Sequence, residues 1–273
     1  MFARYVALGD SSTEGLDDPD GNGGYRGWAD RLAEQLAAVN PDLLYANLGV
    51  RGRLAAQVLA EQLPAALALR PDIVTVFAGV NDLLRPSFDL RRIAADVEQV
   101  QRALVAAGAT VLSFTMPDPS RVLPLAKRLT PRVTAFNAEM RAVAQRSGAM
   151  LVDFGGHEVA GDPRLWAADR LHANSEGHRR IAAALADALQ LPDADRTWSE
   201  SLNAAPRRRP HEAVRAEWVW TRRHLTPWLV RRVRGRSSGD GIVAKRPELA
   251  PLDRPVTSGP PFKGGAGRQE SPR

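Results

Sequence analysis

The chain has 273 residues, 44% of them hydrophobic and 25% charged, which is enough to bury a full core and is ordinary for a globular protein. It has no cysteine, which excludes a disulfide framework, a thiolate zinc site and iron–sulfur ligation. The formal charge of +6 is unevenly placed: residues 205–273 hold 16 Lys+Arg against 6 Asp+Glu, leaving 21 against 25 for residues 1–204, so the body is mildly acidic and no nucleic-acid partner is expected.

The N-terminus, MFARYVALGDSS, lacks a basic segment followed by a long apolar region, and no stretch approaches the roughly 20 apolar residues of a membrane span. A cytoplasmic location is the resulting expectation. Apolar runs from Arg4 to Leu8, Leu43 to Leu48, Ile73 to Phe77, Thr110 to Phe114 and Met150 to Phe154 predict five strands. Between and after them, helical spacing covers Trp28 to Val39, Leu54 to Leu69, Leu90 to Ala107, Pro131 to Arg146 and Glu176 to Leu189. The last of these follows an Asn-Ser pair suited to capping. Such alternation predicts an α/β fold, a three-layer α/β/α sandwich with a mainly parallel five-stranded sheet. Open sheets of this kind bind ligands outside the C-terminal ends of their strands. Three predicted strands run straight into polar, glycine-containing loops: Gly9-Asp10-Ser11, Gly49-Val50-Arg51-Gly52 and Gly79-Val80-Asn81-Asp82.

Residues 1–195 therefore form the predicted principal domain. An Arg/Trp-rich, partly helical extension is expected over 196–236. Gly, Pro, Ser and charge dominate 237–273, which reads as a disordered tail.

Serine becomes a useful nucleophile only with a base to take its proton, an acid to orient that base, and donors for the oxyanion. Ser11 lies in a small-residue turn at a strand end. Asp169-Arg170-Leu171-His172 places a carboxylate and an imidazole three residues apart on one loop, where a local turn can bring the carboxylate to Nδ1 and leave Nε2 free. His178 falls inside the last helix, where packing is the simpler role. His157-Glu158 lacks the second histidine of a helical zinc site, and the glycines at 21–27 fit neither a dinucleotide fingerprint nor a P-loop. No serine sits in a G-x-S-x-G elbow.

The set Gly9-Asp10-Ser11, Gly49, Gly79-Val80-Asn81-Asp82 and Asp169-Arg170-Leu171-His172 resembles the four signature blocks of the SGNH superfamily, or GDSL hydrolases, in order and roughly in spacing over residues 1–190. The resemblance implies a flavodoxin-like fold and a serine esterase or lipase-like hydrolase without cofactor or metal. It assigns Ser11 as nucleophile, His172 as base and Asp169 as its orienting acid, with the Ser11 and Gly49 backbone N–H groups and the Asn81 amide as oxyanion hole. Ser12 stands where the name-giving motif has leucine, and Ala173 where proline is frequent. The implied partner is a small-molecule ester; transfer of the acyl group to an alcohol is the alternative, as is a binding role through the basic extension. Residues 205–236 also carry Trp218, Trp220, Leu225, Trp228, Leu229 and Val230 among ten arginines; the tryptophans are expected to pack on the principal domain with the arginines solvated, and the alternative is weak contact with an anionic membrane.

Overall fold

A computed structural model of the chain describes residues 1–203, 218–227 and 238–252. Its elements run β1 (Arg4–Gly9), α1 (Ser11–Glu14), α2 (Gly27–Val39), β2 (Leu44–Asn47), then α3 (Ala55–Gln57), a π-helical turn (Val58–Gln62) and α4 (Leu63–Leu69) as one continuous rod. They continue as β3 (Ile73–Phe77), α5 (Val80–Leu83), α6 (Leu90–Ala106), β4 (Thr110–Phe114), α7 (Thr130–Ser147), β5 (Met150–Val152) and α8 (Ser175–Ala188), and end in β6 (Arg246–Ala250). The strand order is β5-β4-β3-β1-β2-β6, with the first five parallel and β6 antiparallel to β2.

Parallel strands covered on both faces need apolar side chains in both directions, and β1 supplies them. Tyr5 and Ala7 join a core with Trp28, Leu32 and Leu36 of α2 and Ile181 and Leu185 of α8. Val6 and Leu8 face the other way, onto Ile93, Val97 and Leu104 of α6 and Val133, Phe136 and Met140 of α7. The spacing of Ile93, Val97, Val100 and Leu104 makes one buried stripe along α6, whose first turn is capped by the Asp89 carboxylate accepting from Arg92 N at 3.2 Å. Asn174 caps α8 in the same way, accepting from Glu176 N and Gly177 N at 3.1 and 3.0 Å.

Two expectations are corrected here. The sheet has six strands, not five, and the sixth comes from the stretch 237–273 that composition marks as a disordered tail. Arg246–Ala250 reads RPELA, with no apolar alternation, and cations fasten it in place of apolar side chains. Arg246 is buried; its guanidinium donates to the carbonyls of Tyr45 and Ala250, both at 2.9 Å, and of Pro251, and lies over the Tyr45 ring. Lys245 Nζ reaches Tyr25 O, Arg26 O and Asp30 Oδ2 at 2.7–2.8 Å, tying the strand to the start of α2. The second correction concerns the membrane alternative for the Arg/Trp-rich extension. Trp220 is buried against the principal domain and is unavailable to a bilayer, whereas Trp218 is exposed; Trp228, Leu229 and Val230 lie outside the described residues. No helix among the described residues is long and apolar enough to cross a membrane.

Truncating Arg246 leaves the Tyr45 carbonyl without its donor inside the sheet edge. Arg246→Ala should lower unfolding free energy by on the order of 1–3 kcal/mol and open the C-terminal segment to limited proteolysis, as read from denaturant melts and digestion.

Candidate active site

Register brings the three loops side by side. Gly9 pairs with Phe77 and Ala7 with Asn47, so Asp10-Ser11, Leu48–Gly52 and Ala78–Asn81 leave the same edge, where the chain turns one way from β1 to β2 and the other way to β3. Gly9 is forced by crowding: a Cβ there would stand 2.3 Å from Phe77 O and from Thr13 Oγ1. Its peptide groups are clasped by one buried side chain, with Gly9 N donating to Gln62 Oε1 and Gln62 Nε2 donating to Gly9 O, each at 2.8 Å. Gln62 reaches them from the π-helical turn, a local widening common at functional sites. Ser11 then opens α1, capped by Asp10 Oδ1, which accepts from Ser12 N at 3.1 Å.

The second half of the site is the turn between Trp166 and Ala173, which pair as an isolated antiparallel bridge. Ala167 N donates to His172 O at 2.9 Å, closing the turn, and Arg170 sits in the left-handed region at φ 61. Asp169 Oδ1 accepts from Leu171 N and His172 N at 2.9 and 3.1 Å, which turns Oδ2 toward the imidazole. His172 Nδ1 donates to Asp169 Oδ2 at 2.6 Å, and His172 Nε2 faces Ser11 Oγ at 2.9 Å. The structure thus unites Ser11, His172 and Asp169 in one hydrogen-bonded chain.

Asp17, which sequence reasoning passed over, also faces this imidazole, its Oδ2 3.4 Å from His172 Nδ1. The only cue in the sequence is its place six residues beyond Ser11 in an acidic loop. Burial disfavours a charged His172, but the hydrogen bonds and charges of Asp169 and Asp17 outweigh it and push the imidazole up to about 10. Burial likewise opposes charge on Asp169, and its hydrogen bond to His172 prevails, holding the carboxyl well below the usual range. Asp17, Asp169 and His172 bring ligand atoms within 4.8 Å of one another, with His172 Nδ1 already committed to Asp169 Oδ2.

The donor set departs from expectation at Gly49. Its N–H donates to Asn47 Oδ1 at 2.9 Å, and a Cβ would lie 2.9 Å from Glu14 N and Thr13 Cβ, so this glycine serves close packing. Gly52, later in the same turn and at φ 77, has an N–H with no acceptor among the described residues. The next residue, Arg53, presents its carbonyl to Asn81 Nδ2 at 3.1 Å. The other Asn81 N–H goes to Asp10 Oδ2 at 2.9 Å; burial pushes that carboxyl up to about 6.

His178 is wholly buried and bridges the first turn of α2 and the loop after α1 behind the site: Nδ1 accepts from Trp28 N at 3.1 Å and Nε2 donates to Leu16 O at 3.0 Å. Both nitrogens are used by a neutral ring, and burial pushes it down to about 4, with Asp18, His172 and Arg31 as the nearest charged or titratable groups. Its contribution to stability is complete above the unfolded value of about 6.5 and is lost as pH falls toward about 4. The loss should be on the order of 3 kcal/mol. His178→Gln should be less stable than wild type at pH 7 but lose less between pH 7 and 4.5 in urea melts.

Residues 7–180 match the family model described as GDSL-like lipase/acylhydrolase family. Among solved structures the chain is similar to TesA, with 26% identity, 68% of this chain and 98% of that one covered, and a TM-score of 0.57. It is also similar to LAE5, an α/β hydrolase from the metagenome of Lake Arreo, Spain, with 26% identity, coverage of 69% and 95% and a TM-score of 0.55. A catalytic mutant of Axe2, an acetylxylan esterase from Geobacillus stearothermophilus, shares the fold at 17% identity, with coverage of 73% and 97% and a TM-score of 0.60. No protein of curated function matches the chain. With the matched segment spanning well over half its length and holding both halves of the site, the chain belongs to the GDSL-like lipase/acylhydrolase family and is a GDSL-type esterase.

Proposed function

We propose that the chain hydrolyses small-molecule carboxylic esters through an acyl-enzyme on Ser11. The observation that carries the reading is the continuous contact from Asp169 Oδ2 to His172 Nδ1 and from His172 Nε2 to Ser11 Oγ. In the first step His172 Nε2 takes the Ser11 hydroxyl proton as Oγ bonds to the ester carbonyl carbon. The carbonyl oxygen becomes an oxyanion, and the imidazolium is stabilised by Asp169 and, at longer range, Asp17. Collapse of the intermediate breaks the bond to the alcohol oxygen, which receives the proton from His172 Nε2. Water then repeats the sequence on the acyl-enzyme, its proton passing to His172 and back to Ser11 Oγ as the acid leaves.

Three donors would meet the oxyanion in this scheme: the Ser11 backbone N–H, the Gly52 backbone N–H and the Asn81 amide. Gly52 takes the place first given to Gly49, whose N–H is engaged by Asn47. Asn81 would share the N–H now directed at Arg53 O, the longer of its two contacts. Such a donor typically contributes about 2.7–4 kcal/mol to the transition state, a factor of about 10²–10³ in kcat.

Ser11→Ala and His172→Ala should each abolish turnover of an activated acetate ester with the fold intact by circular dichroism, and only wild type should be labelled at residue 11 by a fluorophosphonate. Full labelling of Ser11→Ala, or its retained turnover, removes the nucleophile assignment. Asn81→Ala should lower kcat by about 10²–10³ with a smaller change in KM. An effect confined to KM would make Asn81 a substrate-binding residue.

The base works only when unprotonated, and its partners raise its proton affinity. The kcat/KM profile should therefore rise with pH along a limb well above the ordinary histidine value of about 6.5. A limb at or below that value would show that the two carboxylates do not hold the proton on the base.

A further inference from the structure

The chain returns to the site from beyond the end of the family match at residue 180. In the helical segment 218–227, Trp220 is only 6% exposed, and its ring packs with Leu123 and Ala126 and against Leu129 of the turn Pro124–Leu129. Trp220 Nε1 donates to the backbone carbonyl of Asp169 at 3.0 Å. The Arg170 guanidinium lies over the indole ring, 5.1 Å from its centroid.

These contacts fall on the part of the turn that most needs support. Arg170 holds a left-handed φ of 61, a conformation a non-glycine residue keeps only where its surroundings impose it. Asp169 is bound through its carboxylate to His172 and to two backbone N–H groups of the same turn, all local contacts that move with the turn. Among the described residues, the bond from Trp220 is the one that ties the Asp169 backbone to a different element, and the indole is itself seated in an apolar socket.

We propose that Trp220 is a positioning residue for the acid–base pair: by holding the Asp169 carbonyl and stacking under Arg170, it keeps the Asp169 carboxylate on His172 Nδ1 and makes the C-terminal extension a working part of the esterase site. This rests on the acyl-enzyme reading above. The groups facing His172 are Asp169 and Asp17 at Nδ1 and Ser11 at Nε2, with Asp10 and the neutral His178 as the next titratable neighbours. If the turn drifts, Asp169 is the partner that withdraws. The imidazolium then loses its closest counter-charge, and the base releases its proton at lower pH.

Trp220→Phe keeps an aromatic ring in the socket and removes the N–H donor. Compared with wild type on a soluble acetate ester, it should keep KM within about twofold, lower kcat about tenfold and move the acidic limb of kcat/KM to lower pH. Trp198→Phe is the control. Trp198 is also buried and its Nε1 donates to Asp187 Oδ2 at 3.1 Å, but it packs on Phe154 away from the turn, so its loss should change melting temperature without moving the pH limb. Should phenylalanine fail to fold, replacing Trp220 with β-(3-benzothienyl)alanine, which keeps the bicyclic shape and lacks the donor, carries the same test. Unchanged kcat and an unchanged limb in the folded variant, or an equal shift in Trp198→Phe, would reduce Trp220 to packing. An inactive Ser11→Ala beside a Trp220→Phe equal to wild type overturns only the positioning role, whereas an active Ser11→Ala overturns the acyl-enzyme reading beneath it.

Discussion

The 2.9 Å contact between His172 Nε2 and Ser11 Oγ joins residues 161 apart in sequence, and the rest of the architecture bears on keeping it. A hydroxyl and an imidazole on separate loops meet only if both loops are anchored to something stiff. Ser11 is anchored through Gly9, whose lack of a side chain lets β1 approach Phe77 and whose peptide groups are held by Gln62. His172 is anchored by the bridge between Trp166 and Ala173 and by Asn174, which both caps α8 and donates from Nδ2 to Arg164 O at 2.7 Å. The parallel sheet supplies the common reference: its strands end on one edge, and the two cores on its faces fix the strands to one another.

Two histidines in neighbouring parts of one site have opposite proton affinities, because carboxylate partners outweigh burial at His172 and burial prevails at His178. Both rings are desolvated, which disfavours charge on each. His172 meets carboxylates at Nδ1 and is pushed up; His178, with a backbone N–H at one nitrogen and a carbonyl at the other, has no carboxylate on its ring, and burial pushes it down. The first arrangement suits a group that must take and return a proton. The second suits a structural bridge. Environments that separate the proton affinities of like groups in this way are how one site divides its roles.

The sequence was most legible where one local rule decided the outcome. β3 and β4 run Ile73–Phe77 and Thr110–Phe114 as the apolar runs predict, because strands buried on both faces need little else. The spacing of Asp169 and His172 permits their pairing across a local turn, and the resemblance to the SGNH blocks assigns it. Failures came where long-range partners decide. β6 was missed because RPELA lacks strand alternation and is held by cations reaching Tyr45 and α2, about 200 residues earlier. The resemblance assigns Gly49 as an oxyanion donor, and nothing local in the sequence signals that its N–H is engaged by Asn47 Oδ1. Asp17 and Trp220 reach Asp169 and His172 through space, Asp17 with only its place in the acidic loop after Ser11 as a cue and Trp220 with no local signal that it meets the Asp169 carbonyl.

The acyl-enzyme proposed on Ser11 requires a covalent bond between Oγ and the acyl group of the substrate. Rapid-quench intact-mass spectrometry during turnover of an activated acetate ester addresses that directly. The account predicts a transient gain of one acetyl group, about 42 Da on general chemical grounds, which peptide mapping places on Ser11. Steady turnover with no adduct at quench times shorter than one catalytic cycle, or an adduct mapped to another residue, would contradict it.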